Sequence, residues 1–147
     1  MKITCLIDTL NSGGAQRQMV NLVVGLKSRG YNVTLITYYP INHFKYLLEN
    51  NDVDHILIQS KNKISRILKI RNVVNILNTD VLIAFLDIPS FIAQIISFPF
   101  FNKKTIVSER VLEIGNPSKI RIINIILYRF VNYVTANSNA NRELIEN

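Results

Sequence analysis

Short runs of β-branched and aliphatic residues alternate with segments of helical period along almost the whole chain, and few folds accommodate that rhythm. Ile3 to Ile7 is mostly apolar, stops at Asp8, and reads as a strand buried on both faces. Thr9 to Gly14 carries turn chemistry. Ala15, Met19, Leu22, Val23 and Leu26 then fall on one helical face, with Gly30 placed to end that helix. Asn32–Tyr38, His55–Gln59, Val81–Phe85, Thr105–Ser108 and Tyr133–Ala136 read as further strands. Between them His43–Asn50, Lys63–Leu77, Ser90–Ser97 and Ile120–Val131 read as helices, and a last helix begins at Asn139. In Ile120–Val131, the side chains of Ile120, Ile123, Leu127 and Phe130 share one face. Strand–helix alternation of this kind predicts an α/β doubly wound parallel sheet, Rossmann-like, as a single domain over 1–147.

Composition fits one such core. The chain has 147 residues, 48% hydrophobic and 18% charged, which excludes a disordered segment. Its one cysteine, Cys5, can form neither an internal disulfide nor a cysteine zinc site, which fits a reducing, cytoplasmic compartment. His43 and His55 have no carboxylate or thiol at ligand spacing, so no metal is expected. Val81 to Phe101 is apolar enough to raise a membrane span, but Asp87, Pro89 and Pro99 break it into a strand and a short helix.

In a doubly wound sheet, ligands bind beyond the carboxyl ends of the strands, so the loops after each strand hold the candidate chemistry. Asn11-Ser12-Gly13-Gly14-Ala15-Gln16 leads into a helix N-terminus, where Gly13, Gly14 and Ala15 can offer backbone N–H groups to a diphosphate. The same glycines would also serve a simple tight turn. G-x-G-x-x-G is absent, Tyr38 and Tyr39 stand where a dinucleotide fold needs an acid, and no P-loop ending follows. Nicotinamide binding and ATP hydrolysis are therefore disfavoured.

The opening KITCLIDTLNSGGAQRQMVNLVVGLKSRGYNVTLIT resembles the start of family 4 glycosyltransferases of the GT-B fold, with Asn21-Leu22, Arg29-Gly30 and Val33–Thr37 filling the family's positions. Val81–Asp87, Ile106–Arg110 and Val134–Ser138 are similar to later family segments. The resemblance covers the chain but only the family's N-terminal, acceptor-side half. It implies retaining transfer of a sugar from a nucleotide-sugar donor, with no further cofactor. The donor-binding domain that carries the family's Glu-x7-Glu pair is absent, so the chain is expected to be a truncated piece, a split gene product or one subunit of two. Without that partner it is expected to be almost inactive, because transfer needs donor and acceptor held together.

The same resemblance implies that Gly13 and Gly14 face the donor diphosphate and stabilise the leaving group. Where many relatives have a histidine this chain has Glu109, which would orient the acceptor hydroxyl, with Arg110 pairing a phosphate. The alternative is a structural Glu109–Arg110 network. Asp87 would hydrogen-bond a sugar hydroxyl, or else cap the helix before Pro89.

Charge is uneven. The net +7 comes mainly from residues 61–147, which hold 12 basic and 6 acidic groups against 5 and 4 in residues 1–60. Lys61, Lys63, Arg66, Lys69 and Arg71 fall in one stretch without an acid. Such a surface suits an anionic membrane or the pyrophosphate of a lipid-linked glycan acceptor. Within the family the chain looks most similar to enzymes that extend polyprenyl-diphosphate-linked oligosaccharides, in cell-surface polysaccharide biosynthesis at the inner face of a membrane. No nucleic-acid motif accompanies the charge. Two rival readings remain: a non-catalytic, membrane-associated partner subunit, and another doubly wound nucleotide-binding domain.

Overall fold

The structure, a computed structural model, describes residues 1–98, 103–109 and 118–136. Arg110 and the helix expected from Asn139 lie outside the described residues. The elements follow in the order β1 (Lys2–Leu6), α1 (Gly14–Ser28), β2 (Asn32–Thr37), α2 (Lys45–Asn50), β3 (Asp54–Leu57), α3 (Lys63–Ile76), β4 (Val81–Phe85), α4 (Asp87–Ser97), β5 (Lys104–Glu109), α5 (Lys119–Leu127) and β6 (Tyr133–Ala136).

All strand pairs are parallel, and the sheet order is β3-β2-β1-β4-β5-β6. The order reverses between β1 and β4, where Leu6 lies beside Ala84. The segments leaving those two strands cross to opposite faces of the sheet, the arrangement that in doubly wound folds opens a crevice beyond the carboxyl ends of the strands.

Strand alternation sorts the core into two layers. Ile3, Cys5, Ile7, Val33 and Leu35 meet Met19, Val20 and Val23 of α1 and Leu48 of α2. On the other face Leu6, Ile36, Leu82 and Ala84 meet Ile70 and Val74 of α3 and Ile92, Ala93 and Ile96 of α4. Each fully buried aliphatic side chain contributes on the order of 2 kcal/mol from removal of apolar surface from water. Cys5 belongs to this core, 0% exposed, and burial pushes its thiol up to about 12, so it is an inert packing residue.

Local chemistry sets the element ends. The helix α1 stops at Ser28 because Gly30 takes φ +83, which lets the Gly30 and Tyr31 amides return to the carbonyls of Lys27 and Leu26. Asn62 caps α3 by accepting the Ser65 N–H at 2.8 Å. The helix α4 begins at Asp87, earlier than its sequence period predicts, since Pro89 falls in the first turn where no N–H is required. Val81–Phe85 and Asp87–Ser97 account for most of the apolar stretch, and among the described residues no helix is long and apolar enough to cross a membrane.

The apolar face of α5 is not its buried one. Ile123 and Phe130 are 43% and 42% exposed, whereas Arg121, Asn124 and Tyr128 are buried. Polar partners reverse the orientation. Asn124 accepts from Gln94 Nε2 at 3.0 Å and donates to the Asp87 carbonyl at 2.9 Å, while Arg121 and Tyr128 reach Glu109. Turning the helix would leave those buried groups without hydrogen bonds, a cost of about 1–3 kcal/mol for each.

Candidate active site

The switch-point lip is built from the segment after β1, the N-terminus of α1 and the junction of β4 with α4. The backbone carbonyl of Asp8 accepts the N–H groups of Tyr38 (3.1 Å) and Tyr39 (2.9 Å), tying the end of β1 to the end of β2. Its carboxylate accepts from Gln16 Nε2 at 3.1 Å, which fastens the first turn of α1 to the strand. Leu10 and Thr9 hydrogen-bond the Ile41 carbonyl. The loop is held from both sides.

Gly13 and Gly14 do different things. The Gly13 N–H donates to Asn11 Oδ1 at 3.1 Å, so that amide is already engaged. Gly13 caps α1 with no side-chain hydrogen bond, and Arg17 N–H is the first to return to its carbonyl. Among the described residues the amides of Gly14, Ala15 and Gln16, the first N–H groups of the helix, have no partner. Neither glycine has a positive φ. A Cβ on Gly13 would stand 2.2 Å from Gln16 Oε1, whereas one on Gly14 would meet nothing within 4 Å. The turn therefore needs glycine at 13 for close packing, and at 14 the missing side chain leaves the helix terminus bare. That is the geometry an anion requires.

Leu86 ends β4 at φ 76 and ψ 158, a conformation almost reserved for glycine. It is the N-cap of α4, so Asp87 is the first residue of that helix instead of its cap. Asp87 is half-buried, and its carbonyl is held by Asn124. Its charge is favourable at this end of α4. The strained residue thus starts α4 at Asp87, directly after β4 at the switch point.

Glu109 lies at the end of β5 and is buried. Tyr128 Oη donates to its Oε1, and Arg121 Nη2 is 3.6 Å from Oε2. The expected Glu109–Arg110 network involves a residue outside the described ones, while Arg121 and Tyr128 hold Glu109 from 12 and 19 residues away along the chain. Neither could be paired with it by sequence spacing.

The basic segment is divided by the length of α3. Residues 63 and 71 are separated by about 12 Å along a helix axis. Lys61 and Lys63 are exposed at the lip end. Arg66 places its guanidinium carbon 4.5 Å from the Tyr38 ring centre and 4.9 Å from that of Tyr39. It also donates to Ser60 Oγ and Tyr39 Oη at 3.4 Å. Lys69 Nζ donates to the Gln59 carbonyl at 2.7 Å. Arg71 is not with them: it lines a cleft of about 610 Å³ beside Lys2, Thr79 and Lys103, at the amino ends of the strands. Between the cations, Ile64 and Leu68 are 73% and 59% exposed.

Buried Tyr38 has its phenol pKa raised by burial and by Asp8, with Arg66 opposing. Among the described residues no group of three or more His, Cys, Asp or Glu is placed to hold a metal ion.

The fold has solved counterparts. HepE of Anabaena, in complex with UDP and glucose, aligns over 99% of this chain with a TM-score of 0.82 and 19% identity. The fold is that of a glycosyltransferase domain. A glycosyltransferase from Rickettsia africae aligns over 99% of the chain with a TM-score of 0.73 and 22% identity, and MurG of Acinetobacter baumannii over 95% with 0.67 and 14%. The chain spans 39–42% of the length of those proteins. No protein-family model and no curated protein matches the chain.

Proposed function

We propose that this chain is the acceptor-binding part of a retaining, family 4-like glycosyltransferase with two GT-B domains. It would help move a sugar from a nucleotide-sugar donor to a lipid-linked glycan in cell-surface polysaccharide assembly. One observation carries the reading: the amides of Gly14, Ala15 and Gln16 have no partner among the described residues, and they follow β1 at the switch point between β1 and β4. Such donors, fixed before reaction, stabilise charge that builds up on a departing diphosphate. The donor's sugar and base would be held by a second domain, so this part alone turns over little. Asp87 would accept from a sugar hydroxyl, and Glu109, through Tyr128 and Arg121, would position the acceptor side of the lip.

The lip end of α3 supports an anionic membrane surface as the second partner. Exposed Ile64 and Leu68 sit among Lys61 and Lys63, a pattern suited to an interface, with each cation contributing about 1 kcal/mol near acidic lipid. Localisation would be cytoplasmic, peripheral at the inner membrane face. The non-catalytic partner-subunit reading is favoured by one fact, the engagement of the Glu109 carboxylate by Arg121 and Tyr128.

The test is a transfer assay with this chain, a GT-B donor-binding domain, a labelled nucleotide sugar and a polyprenyl-diphosphate-linked acceptor. Product with the donor's anomeric configuration, lost with Gly14→Val, supports the proposal. Inverted product, or no transfer from any nucleotide sugar, contradicts it.

A further inference from the structure

We infer that the cleft at the amino ends of β1 and β4 is a second anion site, binding a phosphate group between Arg71 and Lys103. It lies at the opposite end of the sheet from the glycine lip and does not depend on the proposed transfer. The cleft has a volume of about 610 Å³, enough for a phosphorylated small molecule, and Asn75, Asn78 and Thr79 line it beside the two cations.

Three observations converge on an anion. Arg71 is half-buried and, among the described residues, forms no ion pair or hydrogen bond. Lys103 is 8% exposed and directs its ammonium into the same cleft, where it reaches Asn75 Oδ1 at 3.5 Å. Burial, and then the charge of Arg71, lower the Lys103 pKa, so the two cations feel each other directly. Arg71 and Lys103 bring two like charges to one concave site, and an anion bound between them lowers their mutual repulsion. The described carboxylate in the lining, Asp80, accepts the Lys2 backbone N–H at 2.7 Å. A phosphate would accept from the guanidinium fork and the ammonium together, with the Asn75 and Asn78 amides as further donors.

Amide spectra of the chain, titrated with inorganic phosphate at constant ionic strength, test the site. Saturable shifts are expected for Asn78, Thr79 and Lys103, weakened about tenfold or more by Arg71→Gln, as the loss of a charge-assisted hydrogen bond requires. Arg71 is only half-buried, so this variant keeps the fold even where Lys103→Gln fails to. A parallel titration with phosphatidylglycerol vesicles separates the sources. Arg71-dependent vesicle binding assigns a lipid headgroup, and phosphate binding alone assigns a soluble phosphate ester. Shifts that are linear and equal with phosphate and chloride, or unchanged in Arg71→Gln, overturn the site.

Discussion

Asn11 Oδ1 accepts the N–H of Gly13 at 3.1 Å, which closes the turn between β1 and α1 one residue before the helix's unpaired amides begin. The two adjacent glycines therefore respond oppositely to substitution. In Gly13→Ala the new Cβ displaces Gln16, whose hydrogen bond to Asp8 is lost. Stability falls by about 1–2 kcal/mol. Gly14→Ala meets open space in a helical position and leaves stability unchanged or raised by about 0.5 kcal/mol. Denaturant unfolding of the two variants measures the difference. Equal effects would remove the close-packing role of Gly13.

Stability should also depend on pH through His55. Its Nε2 shares a hydrogen bond of 2.8 Å with Thr37 Oγ1, and burial, followed by Lys45, lowers its pKa below 6.5. The unfolded chain then binds the proton more readily than the folded one, so stability is full above pH 6.5 and declines as pH falls below it. In His55→Gln that part of the pH slope disappears. An unchanged slope in melts from pH 7.5 downward would contradict the assignment.

The cations of α3 separate into two classes. Arg66 is packed on Tyr38 and Tyr39, so Arg66→Ala costs about 0.5–2 kcal/mol of stability. Lys61 and Lys63 are exposed, and reversing their charge leaves the melting temperature in place while reducing binding to anionic vesicles. That binding also weakens with added salt, because screening shortens the reach of surface charge. Co-sedimentation with vesicles reads both effects, and binding unmoved by Lys61→Glu with Lys63→Glu would rule out this end of α3 as the membrane face.

Glu109 is tied to Arg121 in an ion pair whose members are 4% and 3% exposed. Breaking a buried ion pair from one side is costly, so Glu109→Gln lowers stability by about 3–5 kcal/mol. Adding Arg121→Met restores much of the loss. A single variant within 1 kcal/mol of the parent would show that the pair does not hold α5 against β5.

The sequence rhythm was enough for the sheet, because strands buried on two faces must be apolar runs and their crossovers must be helices. The place of the Gly13-Gly14 turn between β1 and α1 was legible for the same reason: topology names the loops that follow the strands. Three features were not. The buried side of α5 is polar, and its partners Glu109, Gln94 and Asp87 lie in other elements, beyond any local period. Arg71 parts from Lys61 and Lys63 only once α3 runs against the sheet, which places its two ends at opposite strand termini. Leu86 takes a glycine-like conformation that its side chain does not advertise.

The central claim concerns the bare amides at the start of α1, and amide spectra recorded with UDP and with uridine test it most directly. The account predicts that UDP or pyrophosphate at millimolar concentration shifts Gly14, Ala15 and Gln16, and that uridine does not. Amides that stay in place under saturating UDP, or move equally with uridine, would contradict it.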